Sequence, residues 1–446
     1  MAGSAETRRA RPGTEAGRRR GGLLRTRDFG LLWFGETTSA MGSAITTVAL
    51  PLVAVITLHA STLAVAALTA ATWLPWLLIG LPAGALADRW PHRTTLLVCD
   101  VVSAVVLLSV PVAAWLHVLT YAHLLIAALL AGGSAVFFSI AYRSLLPELV
   151  PASALVEGNG ALQAGAQGAR FAGPGLGGTI AQAAGAVTGI AVDVMTFFVS
   201  ALCLLGIRPP AEHRPRVADR RGVLRPALEG ISVIRHDPYL RTLTWLPAAM
   251  NCLLQGIAAL RVVFLVRTEH VPAGAAGLVI GIGSLGGVLG AMLARPAARR
   301  LGSARALLAA QAGSAPFALL LPLSADGWRL GFFALGAVAM GVGIALCSVL
   351  AGSFVQSYCQ PRLLTRVVAA SRVLGDGFIP VGALAAGAVG SILGVRTAMW
   401  ILAVCYVLVP VALLRSAVAR DRQLPARPAG EEPEAAAEAV LCEGAG

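Results

Sequence analysis

Lysine is absent: every one of the 35 basic residues is an arginine. A Walker A loop needs a lysine to reach the nucleotide phosphates, so ATP-driven work by this chain alone is excluded, and so is Schiff-base chemistry. Charge of either sign is scarce, at 13% of residues, against 57% hydrophobic residues and a mean hydropathy of +0.76. A water-soluble domain cannot wet its surface with so little polar material. The cysteines (Cys99, Cys203, Cys252, Cys347, Cys359, Cys405, Cys442) are scattered, with no CxxC or Cys/His spacing. Neither a disulfide framework nor a metal site is expected from them. There is no HExxH, no GxSxG with plausible partners and no catalytic metal cluster, so an enzyme is not expected, and no cofactor either.

What the chain does have is apolar length. Apolar segments run approximately over residues 29–58, 63–87, 94–116, 121–142, 159–184 and 186–207. After a polar stretch, six more cover 240–266, 273–294, 303–323, 328–352, 365–393 and 395–414. Each is close to the roughly 20 residues that cross a ~30 Å hydrocarbon core, and each must be helical there to satisfy its own backbone. The fold class expected is therefore all-α and integral to the membrane, with twelve transmembrane helices. The organisation reads as a basic, disordered cytoplasmic tail (1–27), a first six-helix bundle (28–207) and a cytoplasmic central loop (208–239). A second six-helix bundle (240–415) and a second loose tail (416–446) follow.

A net charge of +13 would point to nucleic acid in a soluble protein. Here the arginines sort by loop instead. With the N-terminus inside, the inner gaps and tails hold Arg8 to Arg27, Arg89, Arg93, Arg143, the cluster from Arg208 to Arg241, Arg295, Arg299, Arg300, Arg305, Arg362, Arg366 and Arg372. The outer gaps hold only Arg267, Arg329 and Arg396. The positive-inside rule then puts both termini in the cytoplasm of a cell whose plasma membrane the chain spans many times, with lipid rather than nucleic acid as its partner.

The chain also reads as a duplication. The turn from Gly84 through Asp88, Arg89 and Arg93 has a counterpart from Gly290 through Arg295 and Arg299. The two lie 206 residues apart, as do Pro174 and Pro380, each followed by small residues. Two six-helix halves in parallel repeat are the plan of a two-bundle transporter.

The loop Gly84-x-Leu86-Ala87-Asp88-Arg89-x-x-x-Arg93, the run Gly168-Ala-Arg170-Phe-Ala-Gly173-Pro174-Gly-Leu-Gly177-Gly178, and Leu146-Pro147 to Pro151 with Asn159 carry a specific resemblance. The chain resembles the major facilitator superfamily, nearest to its bacterial branch of drug, macrolide and siderophore exporters. Pro91 and His92 depart from the usual glycine and arginine. The resemblance implies that Asp88 reaches toward helix 11 and latches the bundles outward-facing, that the helix 5 run is an antiporter signature, and that helices 1, 4, 7 and 10 line a central cavity. The residues support these roles independently. Gly84 allows close helix approach, and an acid at the membrane edge meets a helix N-terminus favourably. The small residues Gly168, Gly173 and Gly178, with Pro174, suit either a sealed inter-bundle contact or ordinary tight packing.

Ionisable side chains within the spans are the sharper clues, since each costs about 2.5–3.5 kcal/mol at the bilayer centre on insertion scales. Glu36 in helix 1, Arg170 in helix 5 and Asp193 in helix 6 are the candidates for proton coupling. Depth counting places Arg170 and Asp193 within reach of each other, so an ion pair is their structural reading. Asp376, soon after Arg372 and Gly375, suits a capping or latch role, and Arg261 is expected to extend outward to the interface. For the substrate cavity the candidates are Thr37 and Ser39 beside Glu36, and Asn251 with Gln255, one turn apart on helix 7. Trp73 and Trp76 offer ring faces to a ligand or to lipid.

The function expected is secondary active export of a small amphipathic compound by a monomer, coupled to protons and working by alternating access. Nutrient uptake by proton symport is the alternative, and a non-transporting membrane sensor a more remote one. The topology is directly testable. Reporter fusions after Gly446 should be active only as cytoplasmic reporters, and an alkaline phosphatase fused there should be silent. Phosphatase activity at that site would refute the orientation.

Overall fold

A computed structural model describes residues 23–87, 90–208, 231–359 and 361–414, with single positions at 419 and 423. Twelve long helices follow one another. They are α1 (Arg27–Leu52), α2 (Thr62–Ala87), α3 (His92–Trp115), α4 (Tyr121–Leu149), α5 (Leu155–Ala184) and α6 (Ala186–Gly206). Then come α7 (Pro238–Val262), α8 (Ala273–Leu301), α9 (Ser303–Ser314), α10 (Leu330–Tyr358), α11 (Pro361–Leu393) and α12 (Val395–Leu414). No strand occurs among the described residues. The two tails up to residue 22 and from 424, most of the central loop (209–230), and Asp88 and Arg89 lie outside them.

Local chemistry sets several helix starts. Asp237 accepts from the backbone N–H groups of Tyr239 and Leu240, each at 2.9 Å, and Pro238 occupies the first turn of α7. An N-cap of this kind is worth about 1 kcal/mol. Thr120 caps α4 by accepting from His123 N–H. Gly185 between α5 and α6 and Gly394 between α11 and α12 take φ of 89° and 86°, where a side chain would be strained.

The duplication is visible in backbone detail. α1 and α7 each end in a π turn, Val53–Thr57 and Val263–Thr268. A left-handed histidine follows each turn, His59 at φ 49° and His270 at φ 57°. Hydropathy alone does not reveal such turns.

Among the described residues, nine helices are long and apolar enough to cross a membrane by composition. The other three are α5, whose sequence is rich in glycine and carries Gln163, Gln167 and Arg170, α9, which gives way at Pro316 to a 3-10 segment (Ala315–Leu320), and α11, whose apolar stretch among the described residues is the shorter Gly377–Leu393. All three are held by neighbours rather than by lipid alone. Several helices also run past their apolar stretches at the end that bears the chain termini. α4 continues to Leu149, α8 to Leu301 through Arg295, Arg299 and Arg300, and α10 to Tyr358. Water satisfies side chains beyond the hydrocarbon, so loss of hydropathy does not mark the end of a helix.

Within the first six helices, α1 packs on α5 and α6, α2 on α4, and α3 on α4 and α6. In the second six, α7 packs on α11 and α12, and α8 on α10. The two sets meet chiefly along α5 with α8 and α2 with α11, pairs that exchange under the repeat. Both contacts tighten at the end remote from the termini. The α5–α8 contact uses bare backbone: a methyl on Gly178 would strike the Ala273 carbonyl, and one on Gly277 the Pro174 carbonyl and, at 2.9 Å, the Gly178 Cα. Gly387 and Gly390 of α11 pack likewise on Leu63, Ala66 and Thr62 of α2.

The apolar core shows the same polarity. One continuous cluster at the remote end joins Val48, Leu52 and Ile190 to Ile257, Phe264, Ala276 and Val279. At the termini-bearing end the described residues form two separate clusters. Phe29, Leu145 and Ile207 belong to the first half, and Ile234, Leu307, Tyr358 and Leu413 to the second. The halves are therefore fused at one end and parted at the other.

Overpacking a tight site costs about 1–3 kcal/mol, whereas filling a roomy mid-helix glycine gains roughly 0.5–1 kcal/mol. Gly277→Ala should thus lower the melting temperature in detergent. Gly287→Ala in the same helix, with nothing within 4 Å of the added methyl, should leave it unchanged or higher. Equal melting temperatures for the two variants would contradict the contact described.

Candidate functional site

The cleft between the parted ends is walled by helices whose half-exposed faces carry the polar side chains. On α1, Glu36, Ala40, Ser43 and Thr47 recur at helical spacing and are all partly or fully exposed. The adjacent face is buried: Gly35 meets Cys203 and Ser200 of α6, and Gly42 meets Asp193 and Thr196. On α5, Gln163, Gln167 and Arg170 share one face, between the side packed on α1 and the side packed on α8. On α7, Asn251, Leu254, Gln255, Ala258 and Arg261 form a continuous half-exposed stripe.

Glu36 is half-buried, with Asp100 of α3 and Tyr142 of α4 close enough to feel its charge. Its Oε2 is buried without a hydrogen-bond partner. It makes no ion pair with Arg143 or Arg170. A carboxyl held this way gives up little by being neutral and can hold or release a proton as its surroundings change. The Tyr142 ring stacks on Phe138, with centroids 6.3 Å apart.

Asp193 is buried at 1% exposure and accepts from Thr46 Oγ1 of α1 at 2.5 Å and from Thr196 Oγ1 at 3.2 Å. Arg170 is exposed and the two form no ion pair, contrary to expectation. α5 turns Arg170 away from α6. The backbone at Arg170 has a different partner. Pro174 lacks the N–H that would bond the carbonyl four residues back, and that carbonyl of Arg170 instead accepts from Ser284 Oγ of α8 at 3.0 Å.

Thr37 packs against Gly165 of α5, its hydroxyl oxygen buried without a partner, and Ser39 is buried. Asn251 lies on the α7 stripe and reaches the Gly375 carbonyl at 3.5 Å, while Gln255 is half-exposed beside it. In the helix 5 run, Gly173 packs on Ala44 of α1, whereas Pro174 and Gly178 meet α8. Gly168 faces open space. The run thus serves both tight packing within one half and the seal between halves. Arg93 donates to the Leu204 and Leu205 carbonyls at 2.7 and 2.9 Å, placing a cation at the C-terminal end of α6, where the helix dipole favours it. Gly84 falls in the last turn of α2; Asp88 and Arg89 lie outside the described residues, and so does the Asp376 side chain. Beside that loop, His92 Nδ1 lies 2.7 Å from Glu148 Oε1 of α4. Trp73 and Trp76 touch each other, with centroids 6.4 Å apart.

One buried acid went unremarked in the sequence. Asp100 lies at 1% exposure in α3, and neither of its carboxyl oxygens completes a hydrogen bond, although Ser200 stands beside it. A lone aspartate in the apolar run from Thr94 to Leu116 was the available signal. Arg261 also differs from expectation. It does not extend to the interface but sits enclosed on the α7 stripe, its Nε buried and unpartnered. Among the described residues no group of three or more His, Cys, Asp or Glu side chains gathers to hold a metal.

Comparison with known proteins agrees with this architecture. The profile of the Major Facilitator Superfamily matches residues 32–379. The multidrug efflux pump Tap of Mycolicibacterium fortuitum is 28% identical over 302 residues, 66% of this chain and 74% of that protein. Among solved structures, the nucleoside transporter NupG superposes with a TM-score of 0.70 at 12% identity, over 87% of this chain and 98% of that one. A bacterial homologue of the iron transporter ferroportin, in an inward-facing state, superposes with a TM-score of 0.68 at 16% identity, over 89% and 99%. At such identities the likeness to solved structures concerns the fold alone. Sequence match, helix order and paired halves together place this multi-pass membrane chain in the Major Facilitator Superfamily, as a transporter and not an enzyme.

Proposed function

We propose that the chain is a proton-coupled exporter of small amphipathic organic compounds, working as a monomer by alternating access. The observation that carries the coupling is Glu36, whose Oε2 is buried without a hydrogen-bond partner on the cleft-facing side of α1. In the membrane an ionised acid without a counter-charge is costly, so proton binding and cleft opening are energetically linked. Export is supported by the similarity to a multidrug efflux pump. The asymmetry of the arginines supports a cytoplasmic location for both termini, and on that reading the parted end opens to the cytoplasm. The cleft is then positioned to load from inside, where an exporter must collect its cargo.

The driving force bounds the performance. One proton moving down 100 mV supplies about 2.3 kcal/mol. At about 1.4 kcal/mol per tenfold, this sustains roughly a fiftyfold gradient of a neutral compound, and a pH gradient or further protons per cycle extend it.

Accumulation of dyes, antibiotics and siderophores in cells with and without the protein identifies a cargo. For that cargo, Glu36→Gln should abolish pH-driven efflux from inside-out vesicles while equilibrium binding stays within about threefold of wild type. Undiminished pH-driven transport in the variant would remove Glu36 from the coupling, and cargo that accumulates in expressing cells would reverse the direction.

A further inference from the structure

Among the described residues no acid pairs with the Arg261 guanidinium. It lies on the half-exposed stripe of α7 that also carries Asn251 and Gln255. It makes no hydrogen bond or ion pair with any described residue, and its Nε is buried. The second half of the chain, residues 240–415, has only three acids. Glu269, nearest in sequence, is taken by Arg396 at 2.7 Å. Asp326 is in the turn before α10. Asp376 follows Gly375, whose carbonyl is level with Asn251, about 15 Å along α7 from Arg261 by helix rise. It also belongs to α11, which packs on the Gly256 side of α7, about 140° around the helix from Arg261.

The position along the cleft is equally specific. Ala259, two residues before Arg261, is buried with Ala66 and Ala70 of α2 and Ala383 of α11, where the two halves close together. Arg267, further along, donates to the Val55 carbonyl of α1 at 3.3 Å. Arg261 therefore stands where the cleft ends and the seal begins. A helical side chain leans back toward the start of its helix, which here directs the guanidinium into the cleft. The repeat does not demand an arginine. Matching the π turns of α1 and α7 aligns Arg261 with Pro51, so the charge is peculiar to one half. Across the cleft the exposed Arg170 likewise makes no ion pair with a described residue. Glu36 is the one acid on the α1 stripe, and it lies near the opposite, parted end with Phe29 and Tyr142.

We propose that Arg261 is the binding site for an anionic group, a carboxylate or phosphate, on the transported molecule, which makes the cargo an organic acid or zwitterion rather than a simple lipophilic cation. An unpaired guanidinium within the hydrocarbon depth costs several kcal/mol, and a bidentate oxyanion is its best partner. Asn251 and Gln255, lower on the same stripe, would bind neutral polar parts of the cargo. The term cargo rests on the export reading, but the site itself is tested without any gradient.

Purified full-length protein in detergent is titrated with acid and ester forms of the same fluorophore, beginning with rhodamine B and its ethyl ester. The expected result is that wild type binds the acid at least tenfold more tightly than the ester. Arg261→Gln should abolish that preference with ester affinity unchanged, and Arg261→Lys should retain part of it. Unchanged ester binding certifies that the variants fold. The proposal is overturned if the preference survives in Arg261→Gln, if acid and ester weaken together, or if wild type prefers the ester or binds neither form across a panel of such pairs. Displacement of the acid by millimolar chloride but not by sulfate would assign the site to a free inorganic anion and also overturn it. If the acid preference is present but cells extrude none of the dyes, export fails while the anion site stands.

Discussion

Everything in this molecule depends on how closely two pairs of helices can approach at one end. α5 meets α8, and α2 meets α11, through glycines whose missing side chains let backbone lie on backbone. In lipid there is little hydrophobic drive between helices, so such contact is a main source of attraction. These seams fuse the cores at the remote end, and their loosening toward the termini leaves the cleft. The location of the cleft follows from where the glycines are, and the polar faces of α1, α5 and α7 follow from the cleft.

Much of the architecture was legible because lipid imposes a simple rule. Each apolar run had to become a helix, and the arginines and the repeated motifs beginning at Gly84 and Gly290 marked the order of the spans. The rule gives out where helices leave hydrocarbon or are shielded from it. The extension of α8 through Arg295 and Arg299 lies beyond the apolar run, and α5 takes polar residues that only protein neighbours can shelter. The π turns after α1 and α7 leave no hydropathy signature of their own: Val53–Thr57 continues an apolar run, and Val263–Thr268 does so until Arg267.

The site was legible in part for a different reason. Local pattern singles out Glu36 as an acid within an apolar run and Asn251 with Gln255 as a pair one turn apart. Counting does not fix the direction a helix faces. Arg170 and Asp193 have similar depth, yet Asp193 turns to Thr46 while Arg170 looks away. Thr37 follows Glu36 directly but is directed to Gly165. The level of Arg261 in the bundle is set through Ala259, whose neighbours on α2 and α11 belong to distant parts of the chain. Azimuth is set by long-range packing, which no local window of sequence contains.

The bend in α5 carries an implication for motion. Pro174 leaves the Arg170 carbonyl without a donor in its own helix, and Ser284 of the other half supplies one. That bond lies on the exposed side of the seam, so water stands ready to replace the serine and the carbonyl is not left bare if the two helices separate there. A proline bend that would be a liability inside lipid is harmless at the cleft wall, where solvent and a serine of the other half are interchangeable donors.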